Sequence, residues 1–326
     1  MSFIADLSGK NLNPSVVDGS KPGKNLLGVF SPSAPLAPDR LKLGLDGLHS
    51  RGIATSMPVD PSVYYGKYDF GFSCDSAERR VWGLNQLLED PEVATLLAVR
   101  GAYGIFDILP LIDFEKVRQA RKILTGCSDT TALLLQWVKL SGVPAIHGPT
   151  LGSSFADAAT DKDAAATVEA YLRMITDKDF RIEEKCGALR PGQATGPILA
   201  GNLTVLVSLL GTKWDVDYNG VILVIEDVGE APYRIHRALY QLHFAGKLAP
   251  IAGLVFGRFA KCEAKSGPTI EDVQKMAVRD FLPNKDIPVL TGFPSGHWGK
   301  NLPLPLGCLA EIDGELLRTV ESPLEA

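Results

Sequence analysis

The chain has 326 residues, of which 45% are hydrophobic and 22% charged, and its formal net charge is −5. Because a single hydrophobic core seldom serves a chain of more than about 250–300 residues, this length predicts two domains of ordinary globular composition. No block of Lys and Arg occurs, so the charge pattern gives no reason to expect nucleic acid or an anionic membrane as a partner.

The first 24 residues form a polar segment rich in Gly, Pro, Ser and Asn, which we expect to be a loosely ordered tail. This segment has neither the basic leader nor the apolar h-region of a secretion signal, and no stretch of the chain approaches 18 consecutive apolar residues. Five widely spaced cysteines without a CxxC pair fit reduced thiols better than a disulfide framework. We therefore expect a cytoplasmic protein without a transmembrane helix.

Strands and helices alternate through the first half of the sequence. An apolar run in residues 25–35 passes directly into a Ser-Pro loop, as the first strand of an α/β domain often does. A helix with apolar spacing ends at Gly52, and a second is predicted to open with a capping box of Asp75 and Glu78. A buried strand then ends at Arg100, ahead of a glycine-bearing turn. This alternation predicts a parallel sheet, in which ligands lie at the carboxyl ends of the strands.

The stretch KILTGCSDTTALLLQWV contains a turn between a strand and a helix. Residues 123–125 are predicted to be a buried strand and residues 130–138 a helix, so residues 126–129 must turn the chain. Ser128 in this turn is open to two interpretations: an ordinary N-cap, or a nucleophile held outward near the first helical amides. The neighbouring Cys127 would point the other way and is interpreted as a structural thiol.

The second half of the sequence changes character. Residues 155–180 are rich in Ala and Asp and are predicted to be helical, and residues 185–196 are predicted to be a connector bearing Gly and Pro. Further elements follow, among them a strand within residues 220–230 and a helix that begins near Pro232 and ends at Gly246. We place the domain boundary in the region where the composition changes.

Two further strand ends present ionisable residues. The apolar run of residues 221–225 ends in Glu226 and Asp227, and a shorter run, residues 287–290, is followed by a loop that carries His297. A carboxylate, an imidazole and the serine hydroxyl are the three groups of a nucleophilic triad. Glu226 is also open to interpretation as a solvated strand end or an ion-pair partner.

Position alone does not choose between the histidines. His147, in VPAIHGP, also follows an apolar stretch and is as good a candidate as His297. His49 lies at a helix end, and His236 and His243 share one face of a predicted helix, where we interpret them as surface or packing residues.

Metal and nucleotide chemistry lack their usual patterns. The sequence has no HExxH, no paired His at helical spacing and no CxxC, so no metal site is predicted. The glycine pattern RGAYG is not GxGxxG, and no GxxxxGK[ST] follows a strand, so a nucleotide cofactor is not expected either.

Eight motifs in one order resemble those of the LD-carboxypeptidases, serine peptidases of bacterial murein recycling that also include the microcin C self-immunity hydrolases. They extend over nearly the whole chain apart from the tail, and any one of them alone is a weak signal. The motifs are GVFSPSAP, VRGAYGIFDILPLID, TGCSDTTALL, HGPTLG, GNLTVLVSLLGT, VILVIEDVGEAPYRIHRALYQL, GLVFGRF and GHWGKNLPLPLG.

The resemblance implies specific roles for residues of this chain. The serine of the SD turn, Ser128, corresponds to the nucleophile, the glutamate of the ED strand end to Glu226, and the histidine of the GH loop to His297. The oxyanion hole is similarly expected from the backbone amides of Asp129 and Gly101.

The resemblance also implies the fold and the partners. It predicts an α/β class fold, with an N-terminal parallel-sheet domain similar to class I glutamine amidotransferases and a β-rich swivelling C-terminal domain. Members are typically homodimers, and no metal or organic cofactor is expected. The predicted division is residues 1–24, a polar tail; 25–165, the α/β domain carrying the nucleophile; 166–190, a linker region; and 191–326, the β-rich domain carrying the Glu and His.

Three positions depart from the family pattern. Ala102 and Ala200 stand where glycines are usual, and His236 replaces an aspartate. The first two changes add a methyl group near a turn, and the third affects whatever that aspartate contacts.

Together with the absence of a secretion signal, the resemblance thus implies a cytoplasmic serine L,D-carboxypeptidase that releases the terminal D-alanine from murein tetrapeptides. Arg100 is the candidate for binding the substrate carboxylate, unless it pairs with a carboxylate such as Asp107. One alternative is a self-immunity hydrolase of peptidyl or aminoacyl nucleotides, for which Trp214 or Trp298 would provide an aromatic platform. The other alternative is a non-catalytic peptide-binding protein of the same fold.

Overall fold

The computed structural model describes residues 26–68, 71–282, 286–297 and 299–325. The predicted polar tail and Trp298 lie outside the described residues. Within the described residues, no helix combines the length and the apolarity needed to cross a bilayer.

The first sheet is formed mainly by the N-terminal half of the chain. Its first five strands are parallel, and the sixth is added antiparallel at one edge by the chain near its C-terminus. In the spatial order β12-β5-β4-β3-β1-β2, with elements numbered along the chain, the strands are β1 (Leu26–Phe30), β2 (Ala54–Ser56), β3 (Val93–Ala98), β4 (Ile123–Gly126), β5 (Ala145–His147) and β12 (Leu304–Leu306).

The second sheet has eight strands among the described residues. Its four central strands, β8 to β11, are parallel, and antiparallel strands flank them on both sides. In the order β6-β14-β13-β8-β9-β10-β11-β7, the strands are β6 (Glu183–Lys185), β7 (Gly187–Arg190), β8 (Gln193–Asn202), β9 (Ile222–Val228), β10 (Gly253–Ala260), β11 (Val289–Thr291), β13 (Leu309–Asp313) and β14 (Leu316–Thr319). The predicted fold class, a parallel-sheet α/β part followed by a part rich in strands, is confirmed.

Helices pack on the sheets and connect the parallel strands. In the described residues they are α1 (Pro38–His49), α2 (Ala77–Glu89), α3 (Ile105–Ile108), α4 (Phe114–Ala120), α5 (Thr131–Gln136), α6 (Lys162–Thr176), α7 (Leu203–Ser208), α8 (Pro232–Phe244) and α9 (Ile270–Asp280). Shorter helical turns are Pro61–Tyr65, Leu109–Leu111 and Ser128–Thr130, together with the wider π-type turns Trp137–Ser141 and Leu151–Phe155.

Several local predictions differ from the structure. The cap of α2 is Ser76, whose hydroxyl accepts from the Arg79 amide, so the predicted capping box was wrong by one residue. The predicted connector, residues 185–196, instead contributes strands, because its backbone pairs with neighbours that lie far away in sequence. The strand predicted within residues 220–230 is confirmed as Ile222–Val228, so Glu226 and Asp227 lie inside it rather than after it.

The two sheets meet where β8 passes the start of α5. The Asn202 amide donates to Thr131 Oγ1 at 3.1 Å. A Cβ on Gly201 would lie 2.2 Å from Thr131 Cγ2, so only a glycine allows this approach. The buried apolar side chains of both sheets form one continuous cluster. The predicted domain boundaries remain a prediction, but the contact brings β9, the neighbour of β8, close to the turn that follows β4.

Candidate active site

Ser128 lies on a sharp turn between β4 and α5. Its φ angle is +61°, in the left-handed region that non-glycine residues enter at a cost of about 1–2 kcal/mol. The side chain is half-buried, whereas Cys127 beside it is buried and burial raises the pKa of its thiol. A strained serine at the carboxyl end of a parallel strand is the geometry of a nucleophile elbow rather than of an ordinary N-cap, whose φ is negative.

The Asp129 side chain ties this turn to two neighbouring loops. Its Oδ2 accepts hydrogen bonds from the Ser33 hydroxyl at 2.8 Å and the Ile105 amide at 3.0 Å. Burial raises the pKa of this carboxyl, although the two donors act in the opposite direction. Asp129 therefore holds the loop after β1 and the loop after β3 against the turn that carries Ser128.

Gly101 packs directly on the serine turn. A Cβ built on this glycine would lie 2.8 Å from Cys127 O, 2.8 Å from Ser128 Cβ and 3.1 Å from the Asp129 amide nitrogen. The backbone at Gly101 and the amide of Asp129 are therefore neighbours on one side of Ser128. Ala102, the next residue, has a φ of +82°, so its methyl group occupies a strained position.

We predict that Gly101→Ala lowers kcat/KM by about 100-fold, because the added methyl group must displace the turn and move the amides beside Ser128. Ala102→Gly is the matched control, since it removes a methyl group from the same loop and relieves a left-handed strain. It is expected to keep the activity of the unsubstituted protein. Steady-state kinetics on both variants check this prediction. Equal activities of Gly101→Ala and Ala102→Gly would show that the packing of Gly101 on the serine turn has no role in the activity.

Glu226 and His297 form a buried pair. Glu226 is fully buried in β9, and its Oε2 lies 2.8 Å from His297 Nδ1. Burial by itself would raise the pKa of Glu226, but the imidazoles of His147 and His297 outweigh it and lower the pKa to about 2. Burial opposes protonation of His297, whereas the hydrogen bond to Glu226 and its charge raise the His297 pKa overall.

The loop that carries His297 is fixed from both sides. Gly296 has a φ of +125°, and its amide donates to Asn301 Oδ1 at 2.9 Å. A Cβ on Gly296 would lie 2.8 Å from Glu226 Oε2, so glycine is needed for the loop to reach the carboxylate. The backbone N–H of Asn301 in turn donates to Thr167 Oγ1 of α6 at 2.8 Å.

His147 is the second imidazole beside Glu226. It ends β5, where it lies opposite Gly126 of β4, two residues before Ser128. Its Nε2 is 3.8 Å from Glu226 Oε1, and its Nδ1 is 3.3 Å from the Ser295 hydroxyl. The two histidines that the sequence left as rivals thus contact the same carboxylate, and His147 connects the serine turn with the Glu226–His297 pair.

Arg100 is half-buried at the end of the strand beside the serine turn. Its guanidinium donates to the Pro35 carbonyl at 2.9 Å, and burial lowers its pKa. Asp107, the alternative partner suggested by the sequence, pairs instead with Arg80 at 3.2 Å. Arg80 also donates to the Gly104 carbonyl at 2.8 Å, so it braces the loop that contains Gly101.

The other candidates lie elsewhere or have packing roles. Trp214 lies beside the far end of α5, where its carbonyl accepts from Gln136, and Lys213 stacks 4.6 Å from its ring centroid. His236 and His243 both pack on the ring of Phe281, at 5.6 and 5.3 Å between centroids, as predicted for packing residues.

Sequence reasoning missed several groups that build the site. Ser33, Arg80 and Ser295 are buried polar residues whose partners lie far away in sequence, so no local pattern singles them out. An exposed aromatic pair, Phe72 and Tyr103, was also missed. Their ring centroids are 5.5 Å apart, and Tyr103 follows Gly101 by two residues, inside the quoted motif RGAYG.

Among the described residues, no group of three or more His, Cys, Asp or Glu side chains is arranged to hold a metal ion. The chemistry available to these side chains is proton transfer between a hydroxyl, an imidazole and a carboxylate.

Comparison with known proteins identifies relatives over most of the chain. A family model described as the LD-carboxypeptidase N-terminal domain matches residues 27–148, and one described as the LD-carboxypeptidase C-terminal domain matches residues 195–312. A Bacillus subtilis (strain 168) protein named "Probable murein peptide carboxypeptidase" is 30% identical over 293 residues, 88% of each chain.

Two further relatives differ in the substrates that their names indicate. The Escherichia coli microcin C7 self-immunity protein MccF is 26% identical over 321 residues, which cover 88% of this chain and 90% of that protein. The solved structure of muramoyltetrapeptide carboxypeptidase from Oxalobacter formigenes is 26% identical and has a TM-score of 0.81. The match covers 91% of this chain and 99% of that chain.

Proposed function

This chain belongs to the LD-carboxypeptidase family, and from that premise we propose that it is a serine L,D-carboxypeptidase that releases the terminal D-alanine from murein tetrapeptides. The hydrogen bond between Glu226 Oε2 and His297 Nδ1 is the observation that carries the proposal. A buried carboxylate on one nitrogen of an imidazole leaves the other nitrogen to act as a general base, which is the arrangement of a catalytic triad.

In the proposed acylation step, His297 Nε2 takes the proton of the Ser128 hydroxyl as Ser128 Oγ attacks the carbonyl carbon of the L,D-peptide bond. The amides of Gly101 and Asp129 hold the oxyanion that forms, at about 3 kcal/mol per donor in comparable sites. His297 then gives its proton to the departing amine of D-alanine. Glu226 stabilises the imidazolium during this step, and the depressed pKa of Glu226 supports that role.

Deacylation repeats the step with water as the nucleophile. His297 removes a proton from the water molecule, the hydroxide adds to the acyl-enzyme carbonyl, and the proton returns to Ser128 Oγ as the ester bond breaks. The tripeptide product leaves with a new carboxylate. Because the His297 pKa is raised, the fraction of this imidazole that is free to act as a base grows as the pH rises.

We propose Arg100 as the group that binds the free carboxylate of the substrate, because it is adjacent to Gly101 and carries a fixed positive charge. Arg100→Met is expected to raise KM about tenfold or more with a smaller change in kcat. The matched variant is Arg258→Met, which removes an exposed arginine whose guanidinium lies against Gly299, near His297. If Arg258→Met raises KM and Arg100→Met does not, the carboxylate is bound from the second sheet instead.

A second candidate function is the hydrolysis of aminoacyl nucleotides in self-immunity, as the relative MccF suggests. The exposed pair Phe72 and Tyr103 favours it, since an aromatic face beside the catalytic turn provides a surface on which a base could stack. Of the platforms expected from the sequence, Trp214 lies at the far end of α5 from Ser128. Trp298 lies outside the described residues.

Mass spectrometry of parallel incubations tests the two functions. The substrates are a murein tetrapeptide ending in D-alanine, the same peptide ending in L-alanine, and an aminoacyl sulfamoyl adenosine. Release of D-alanine from the first peptide alone supports the murein carboxypeptidase. Release of the amino acid from the nucleoside alone would replace that assignment with the self-immunity function.

We further propose that the enzyme acts in the cytoplasm as a homodimer. All five cysteines lie in the described residues as buried free thiols, which supports a reducing compartment. The proposal of a homodimer is based on the family resemblance, and light scattering of the purified protein measures the molar mass that tests it.

A further inference from the structure

His147 is held rigidly in the first sheet. It is fully buried, and its backbone lies opposite Gly126 on one side and Leu304 on the other. Its Nε2 faces Glu226 Oε1, the carboxylate oxygen that does not bond to His297. Within the described part of the chain, neither of these two buried atoms has a hydrogen-bond partner.

The separation of these atoms restricts how they interact. At 3.8 Å they are slightly too far apart for a hydrogen bond and too close for a water molecule to fit between them. Two unpartnered polar atoms in a buried site are costly, so a small movement that joins them is favourable. The Ser295 hydroxyl, 3.3 Å from His147 Nδ1, can donate to that nitrogen and leave the imidazole proton on Nε2.

We propose that His147 is a positioning residue of the triad: its Nε2–H faces Glu226 Oε1 and holds the carboxylate so that Oε2 stays aligned with His297 Nδ1. Ser295 fixes the required tautomer. The inference rests on the proposed function, because alignment of the carboxylate matters only if Glu226 and His297 serve Ser128 as a unit.

The charges around the site determine the sign of the expected pH effect. The carboxylate of Glu226 is faced by His147 and His297 and lies near Cys127, and His297 also senses the charge of Asp227. An N–H aimed at Oε1 offsets part of the negative charge that stabilises protonated His297. Without this N–H, His297 is protonated more easily. The acid limb, which is the part of the pH–rate profile where the rate falls as the pH is lowered, then moves to higher pH. A loss of packing alone would not move this limb.

The test measures the rate at which a fluorophosphonate labels Ser128 as a function of pH. In this reaction the serine proton passes to His297, the Oγ–P bond forms, the P–F bond breaks and fluoride leaves. The labelling rate therefore reports the reactivity of Ser128 without any peptide substrate. His147→Leu is expected to slow labelling about 10- to 100-fold and to move the acid limb to higher pH. His147→Gln, whose amide can aim an N–H at the same oxygen, is expected to restore most of the rate and the limb.

Thermal unfolding of each variant shows whether it is folded. If His147→Leu does not fold, Ser295→Ala is used in its place, and it is expected to slow labelling by a smaller factor and to move the acid limb in the same direction. Equal labelling rates in His147→Leu and the unsubstituted protein would overturn the inference. So would a loss that Gln does not restore and that leaves the acid limb in place. Failure of the probe to label the unsubstituted protein, by contrast, would overturn the proposed function itself.

Discussion

Replacing Ser128 by alanine is expected to abolish D-alanine release, with a loss in kcat of about 10⁵- to 10⁶-fold. The reason is that the acyl-enzyme cannot form without the hydroxyl, while the oxyanion amides and the binding surface leave only a small residual rate. The backbone should be unaffected, because alanine and serine meet the same steric cost at a φ of +61°. Mass spectrometry of the tetrapeptide digest and a thermal unfolding curve measure the two quantities together.

Cys127→Ala is the matched control for Ser128→Ala. It removes a heteroatom from the adjacent residue of the same turn, but this thiol is buried and its raised pKa keeps it protonated at neutral pH. We expect it to retain activity within a few-fold of the unsubstituted protein. Activity of Ser128→Ala within tenfold of the unsubstituted protein would show that the serine only caps the helix and would remove the proposed mechanism.

The sequence was sufficient for the features that depend on local pattern. The turn at Ser128 follows from an apolar strand that gives way to helical spacing, and the structure has its elements within a few residues of the prediction. The ends of parallel strands share one edge of a sheet, so the presence of Gly101, Ser128 and His147 at that edge could also be expected.

What the sequence could not provide are contacts between residues distant in the chain. His147 and His297 have the same local setting, an apolar run followed by a loop, and only the folded sheets show that both reach Glu226. The strands at residues 185–196 were missed for a related reason, since a Gly- and Pro-bearing segment becomes a strand when distant partners pair with its backbone.

Contacts between distant residues also explain why glycine is needed at two positions near the site. Gly201 lies within β8 and its importance comes from Thr131, 70 residues earlier in the chain. Gly296 is required by the carboxylate of Glu226, which arrives from another strand. The approach of Gly201 to Thr131 joins the two sheets, and the approach of Gly296 to Glu226 lets the loop that carries His297 reach this carboxylate.

Glu226→Gln is expected to lower kcat/KM by about 10³- to 10⁴-fold, because the amide provides no charge to stabilise the imidazolium and can favour the wrong tautomer of His297. The pH profile should change as well. Burial lowers the pKa of His297, whereas the hydrogen bond to Glu226 and its charge raise this pKa and outweigh burial. Without the charge, the acid limb of the residual activity is therefore expected to move to lower pH. A profile of kcat/KM between pH 5 and 9 measures this shift.

The loss of stability in Glu226→Gln should depend on pH, as the pKa shifts of His297 and Glu226 predict. Because the His297 pKa is raised in the folded protein, its contribution is present below the ordinary value of 6.5 and is lost as the pH rises through the folded value. Because the Glu226 pKa is lowered to about 2, its contribution is present above the ordinary value of 4.5. The variant should therefore lose most stability between pH 4.5 and 6.5, and less at pH 9.

Asp227→Asn separates this effect from a general loss of a buried carboxylate. Asp227 is the next residue of the strand and accepts hydrogen bonds from Asn202 and Thr204, so its replacement is expected to destabilise the fold. It is expected to move the acid limb less than Glu226→Gln does, since Asp227 acts on His297 through charge alone. If both variants shift the limb equally, the hydrogen bond between Glu226 and His297 does not control the base, and the pair contributes to the fold rather than to the reaction.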